Sequence, residues 1–131
     1  MRIMLDTNIL ISAFVFRSSQ MSTVIIKITE NHKLVISSFV IDELTEVVKR
    51  KFSNKVMALD TFLTSLPYEL VYTPKHIPSS LFEIRDQKDY PALYSAIIED
   101  VDIIITGDKD FKGLKIDKPA ILTPAEFIET Y

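Results

Sequence analysis

Two acids in this chain stand just beyond short apolar runs: Asp6 follows "RIML", and Asp108 follows "IIITG" with Asp110 one residue further on. An aspartate flush against a buried strand needs a partner, because an unpaired charge in an apolar surround is strongly disfavoured. Two further acids belong with them by placement. In "FVIDELTEVVKRKF", Val40, Ile41, Leu44, Val47 and Val48 form one apolar stripe at helical spacing. Asp42 and Glu46 point away from that stripe, whereas Glu43 sits on its shoulder, where it can reach over the core. In "RDQKDYPALYSAI", Asp89 stands at the start of the next helical run, with Asp86 one turn earlier as the alternative.

Carboxylates converging without a cation repel, and at least one would take up a proton. A divalent ion removes that conflict. With oxygen ligands and neither thiolate nor histidine among them, the set suits a hard ion, Mg²⁺ or Mn²⁺. Such an ion activates water and stabilises a phosphodiester under attack. Thr7, Asn8 and Thr106 are polar neighbours able to orient a carboxylate or a metal-bound water. Each acid also has a plainer use. Asp89 can be a helix N-cap, Asp108 and Asp110 can be turn residues, and Glu43 can be a solvated surface acid. The functional reading rests on the joint pattern of Asp6, Glu43, Asp89 and Asp108, with Asp110 and Asp86 in reserve.

The elements that must position these acids follow from the hydrophobic pattern. Strands are predicted at Arg2–Leu5, "KLVIS" (33–37), "YELVY" (68–72), "DIIIT" (102–106) and "PAILT" (119–123). Helices are predicted from Asn8 to Phe16, from a Ser18-Ser19 cap onward, from a Ser37 or Ser38 cap, from Asn54 up to Pro67, and from about Asp89 to Glu99. A last helix opens on the capping box Thr123-Pro124-Ala125-Glu126. Alternating strands and helices with continuous apolar runs imply an α/β fold, a mostly parallel sheet covered on both faces. Ligands of such sheets sit outside the carboxyl ends of the strands. That is where Asp6 and Asp108 fall.

Composition narrows the class. At 131 residues the chain suits one domain, and 47% hydrophobic with 25% charged residues is an ordinary soluble composition. A net charge of −3 argues against holding nucleic acid by a large electrostatic excess. It leaves open an enzyme that engages nucleic acid through a local patch and a metal. There is no cysteine, and His32 and His76 are the only histidines, both expected on the surface. A thiolate zinc site, a cysteine nucleophile and a Ser-His-Asp triad are therefore disfavoured. No segment has the length of a membrane span and no signal peptide is evident, so a cytoplasmic protein with no membrane partner is expected. The basic run Lys49-Arg50-Lys51 suits a helix C-terminus.

"MLDTNILISAF", "SSFVIDEL", "RDQKDYPALYSAI" and "IIITGDKDF" occur in the order and at about the spacing found in the PIN-domain family, and the resemblance covers essentially the whole chain, 1–131. The likeness is greatest to stand-alone bacterial and archaeal members classed as VapC-like toxin components of toxin–antitoxin pairs. The resemblance implies a single domain with a parallel sheet of about five strands flanked by helices. It places the family's metal-binding acids on Asp6, Glu43, Asp89 and Asp108, with Asp110 assisting. It implies Mg²⁺- or Mn²⁺-dependent endonucleolytic hydrolysis of single-stranded RNA, a homodimer, and a cognate antitoxin.

Two other classes compete. One is a catalytically silent PIN-like module that binds RNA or protein. The other is a receiver-type signalling domain, also a doubly wound sheet with acids at its strand ends, which Lys118-Pro119 superficially suggests. That domain needs paired acids after the first strand and a lone aspartate after the third, and "YELVYTPK" ends without one.

Overall fold

A computed structural model describes residues 1–77, 90–108, 111, 114 and 116–131. β1 (Arg2–Leu5) leads through Asp6 into α1 (Thr7–Phe14), and α2 (Ser19–Asn31) follows. Next come β2 (Lys33–Ser37), α3 (Ser38–Lys51), a 3₁₀ turn (Ser53–Lys55), α4 (Val56–Ser65) and β3 (Tyr68–Val71). α5 (Tyr90–Ile98), β4 (Ile103–Ile105), β5 (Ala120–Leu122) and α6 (Pro124–Thr130) complete the chain.

The five strands form one sheet in the order β3-β2-β1-β4-β5, with every pairing parallel. The expected α/β architecture is present. Its strand order differs from the 2-1-3-4-5 order of receiver-type domains, which removes the fold argument for that class. Direction along the sheet reverses between β1 and β4, so their carboxyl ends flank the topological switch point.

Side chains alternate across the sheet as strand geometry requires. Ile3, Leu5, Leu34, Ile36, Ile103 and Ile105 pack on one face with Leu10, Ile28, Leu44 and Phe127 from the helices. Met4, Val35, Val71 and Ile104 pack on the other with Leu93 and Ala96 of α5. Burial on both faces is why these strands read as unbroken apolar runs. α5 lies opposite the other helices because a right-handed return from β3 to β4 must cross the far face.

Three local differences from the sequence reading have simple causes. α1 begins at Thr7 because Asp6 itself caps it. Asn54 falls within the 3₁₀ turn, and α4 begins after it without a side-chain cap. His32 is not a free surface residue: its ring stands edge-on to Phe127 and Tyr131, at centroid distances of 6.3 and 6.0 Å. Its Nδ1 lies 3.4 Å from the N-terminal amine, and burial pushes the imidazole pKa below its usual value. His76 is exposed, as expected.

At the amino end of the sheet, Arg2 spans from β1 to β3. Its guanidinium donates to both Glu69 carboxylate oxygens, at 3.3 and 2.7 Å, and to the Glu99 carbonyl. Its backbone N–H donates to Asp102 at 2.8 Å. Arg2→Ala is expected to lower stability by about 1 kcal/mol, the range of a half-exposed bidentate pair. Urea denaturation checks this. Activity should be unchanged, because Arg2 and Asp6 lie at opposite ends of a strand roughly 13 Å long.

Candidate active site

The parallel register places Leu5 against Ile105, so the next residues across the gap are Asp6 and Thr106. Both are buried, at 7% and 3% exposure. Asp6 has extended backbone geometry, and its Oδ1 accepts the Ile9 N–H of the first turn of α1 at 3.1 Å. Its Oδ2 accepts the Thr106 hydroxyl. Thr106 Oγ1 in turn accepts the Asp108 backbone N–H at 3.0 Å. One hydroxyl therefore joins the end of β1 to the segment that carries Asp108.

Burial, first of all, pushes the Asp6 pKa up to about 6. The bonds from Thr106 and Ile9 oppose that rise, and the nearby charges of Asp108 and Glu43 add to it. Asp6 is thus a desolvated carboxyl that feels two other acids across the switch point.

Glu43 reaches the cleft from α3. Ser37 caps that helix, its Oγ accepting the Val40 N–H at 3.3 Å, and Val40, Leu44 and Val48 fix the buried face. Glu43 is half-buried beside that face while Asp42 and Glu46 are exposed, the distribution that the helical spacing predicts. Asp6, Thr7, Asn8, Phe39, Glu43, Ala92 and Phe111 line the cleft together, around a space of about 20 Å³. That is room for about one water molecule. Thr7 is buried and Asn8 exposed, so of these two neighbours Asn8 faces solvent from the cleft wall.

Asp6, Glu43 and Asp108 are therefore brought to one neighbourhood. Asp86, Asp89 and Asp110 lie outside the described residues. Among the described residues, no group of three or more acids or histidines is arranged to hold a metal ion. The donor set nonetheless fits one in its chemistry. A buried carboxyl whose pKa is raised by desolvation and by two like charges is relieved by a cation, and all the donors are oxygen.

Nothing in the sequence marks Phe39, Ala92 or Phe111 as cleft walls. The same is true of a hydroxyl cluster at Phe39. Thr73 Oγ1 accepts the Phe39 N–H at 3.3 Å and lies 2.8 Å from Ser95 Oγ, while Thr73 N–H donates to Ser38 Oγ at 2.9 Å. This cluster ties the end of β3 to the first turn of α3 and to α5. Ser95, fully buried in the apolar run "ALYSAI", was the signal available.

The PIN domain family profile matches residues 2–110. No curated protein matches the chain. Among solved structures, a chain of VapBC2 from Rickettsia felis, crystallised bound to a DNA fragment from the VapBC2 promoter, superposes with a TM-score of 0.71. It is 22% identical, and the alignment covers 94% of this chain and 98% of that one. At that identity the likeness speaks for the fold. With the profile spanning most of the sequence, and with the acids of "MLDTN", "VIDEL" and "TGD" meeting at the switch point, the chain belongs to the PIN domain family.

Proposed function

We propose that the protein is a metal-dependent endoribonuclease acting on single-stranded RNA in the cytoplasm, the toxin of a toxin–antitoxin pair. The observation that carries this reading is the buried Asp6 carboxyl, held by Thr106 and Ile9 and pushed up in pKa beside Glu43 and Asp108. Burial and two like charges disfavour the ionised form of Asp6 beyond what its capping of α1 requires, and a bound cation would relieve that cost.

Asp6, Glu43 and Asp108 would hold Mg²⁺ or Mn²⁺, with Asp89 as the fourth ligand carried by the family resemblance, Asp86 as its alternative and Asp110 assisting. When bound, such an ion supplies Lewis-acid stabilisation of the phosphodiester and a more acidic water. The chain's own groups do the rest. Thr106 fixes the Asp6 carboxylate through Oδ2 and sets the path of the Asp108 backbone. Ile9 N–H fixes Oδ1, so that Asp6 is oriented before substrate arrives. Phe39, Ala92 and Phe111 keep bulk water from the floor of the cleft. The toxin assignment draws on the VapBC2 likeness, which supports a cognate antitoxin as partner; a homodimer is carried by the family resemblance alone.

Incubating the purified protein with a mixed pool of single-stranded RNA in Mg²⁺, Mn²⁺ or chelator tests this reading. Cutting is expected with metal only. Glu43→Gln should reduce it by about tenfold or more, while Glu46→Gln, on the exposed face of the same helix, should leave it unchanged. Absence of cutting in either metal would favour the silent binding module instead.

A further inference from the structure

Beside the acid cleft lies a second, larger recess of about 270 Å³, walled by Ser38, Phe39, Asp42, Thr73, Lys75 and Pro91 among others. Phe39 lines both spaces. We propose, resting on the nuclease reading above, that this recess is a nucleotide subsite: it takes the residue of the RNA strand next to the scissile phosphate, with its base against Phe39 and its backbone phosphate at Lys75.

Several observations converge on that occupant. The acid cleft has room for little more than a water, so the sugar and base flanking the reacting phosphate must lie elsewhere. The recess that shares a wall with the cleft, at about 270 Å³, is close to the lower end of small-ligand sites. Phe39 is half-buried, packs against the core and lines both spaces, so it is held in place as a wall between them. Bases of any kind stack on such a face. The charges give the orientation. Lys75 is an exposed cation at one wall, and Asp42 at another repels phosphate, so the backbone runs on the Lys75 side. Ser38 Oγ, which accepts the Thr73 N–H, adds a hydroxyl to the wall of the recess. The platform is braced from behind, because the Phe39 N–H is held by Thr73 and Thr73 by the buried Ser95. A basic patch alone would give no such pairing of a ring, a hydroxyl and one cation.

The test uses fluorescence anisotropy of a short labelled single-stranded RNA of mixed sequence, with the full chain carrying Asp6→Asn so that it does not cut. Into that background go Phe39→Leu, Lys75→Ala and, as a control of equal charge change, Lys49→Ala in the last turn of α3. Thermal melts confirm that each variant folds. Phe39→Leu keeps the apolar packing but removes the ring, and should weaken binding on the order of tenfold. Lys75→Ala should lower the slope of log affinity against log salt by about 0.7, the value for one phosphate of a single strand. Lys49→Ala should change neither. In the cutting-competent chain, Phe39→Leu and Lys75→Ala should raise KM more than they lower kcat.

If the wild type cuts RNA while both variants bind and cut as it does, the subsite is overturned and the nuclease reading stands. The same holds if Lys49→Ala matches Lys75→Ala, since the effect is then general electrostatic attraction. If the wild type neither binds nor cuts RNA, both readings fall together.

Discussion

Asp6→Asn is expected to abolish RNA cleavage and, in the absence of metal, to make the protein more stable. Loss of a supporting partner of a metal ligand costs up to about a hundredfold, so loss of the ligand's own charge should cost more. The stability gain follows from the pKa. In the folded chain Asp6 titrates at about 6 against an ordinary value of 3.8. The folded state therefore binds a proton more tightly than the unfolded chain. Its contribution is fully present below pH 4 and is lost as pH rises through 6. At pH 8 that loss is about 3 kcal/mol, an order of magnitude set by the shift. Asparagine has no charge to desolvate, and it caps a helix as well as aspartate does, so the Ile9 bond survives. Melts of both proteins in chelator from pH 4 to 8 check the sign. The variant should pull ahead of the wild type as pH rises. Mn²⁺ should then raise the wild-type melting temperature at pH 8 and leave the variant where it is. A difference that stays flat with pH would mean that the carboxyl is not strained by burial. An active Asp6→Asn protein would remove it from the site.

The strands and the candidate acids at their ends were legible because the same physics governs both. A strand covered on two faces reads as an unbroken apolar run, and "RIML", "KLVIS" and "DIIIT" fall within one residue of the observed elements. An acid at the end of such a run is conspicuous for the same reason. Glu43 was legible from the 3.6-residue period alone, since Val40, Leu44 and Val48 define which neighbours turn outward. Less legible were features made by pairing over distance. Thr73 and Ser95 meet across 22 positions, and neither sits in a pattern that announces a partner. The walls Phe39 and Phe111 look in sequence like ordinary core aromatics, which they also are: both pack with the hydrophobic clusters. His32, expected at the surface from its place at a helix end, is part-exposed there, and the end of α2 also delivers it to the aromatic rings of α6. Asp6 hid a double role. It reads as a site acid and serves equally as the N-cap of α1, so the helix starts one residue earlier than apolar spacing alone suggests.

Thr106→Val should impair metal binding more severely at low pH than at high pH. Valine keeps the shape of threonine but removes a hydroxyl with two bonds, one donated to Asp6 and one accepted from the Asp108 N–H. Both partners are then left short in a site where Thr106 is 3% exposed. Leaving such groups unsatisfied costs about 1–3 kcal/mol of stability. The Thr106 bond is also the largest influence holding the Asp6 pKa down against burial, so its loss moves that pKa further above 6. A metal must displace the proton to bind, so the Mn²⁺ concentration for half-saturation should rise by about ten- to a hundredfold near pH 6. The penalty should shrink towards pH 8, where Asp6 is closer to fully ionised. Calorimetric Mn²⁺ titrations at the two pH values measure this without relying on turnover. Thr106→Ser, which restores the hydroxyl, should recover most of the affinity. A purely structural role predicts a penalty independent of pH. If Thr106→Val shows that flat penalty, Thr106 braces the loop after β4 and does not tune Asp6. If the penalty falls with pH and serine rescues it, the hydroxyl between β1 and β4 sets the charge state of the buried carboxyl on which the proposed chemistry depends.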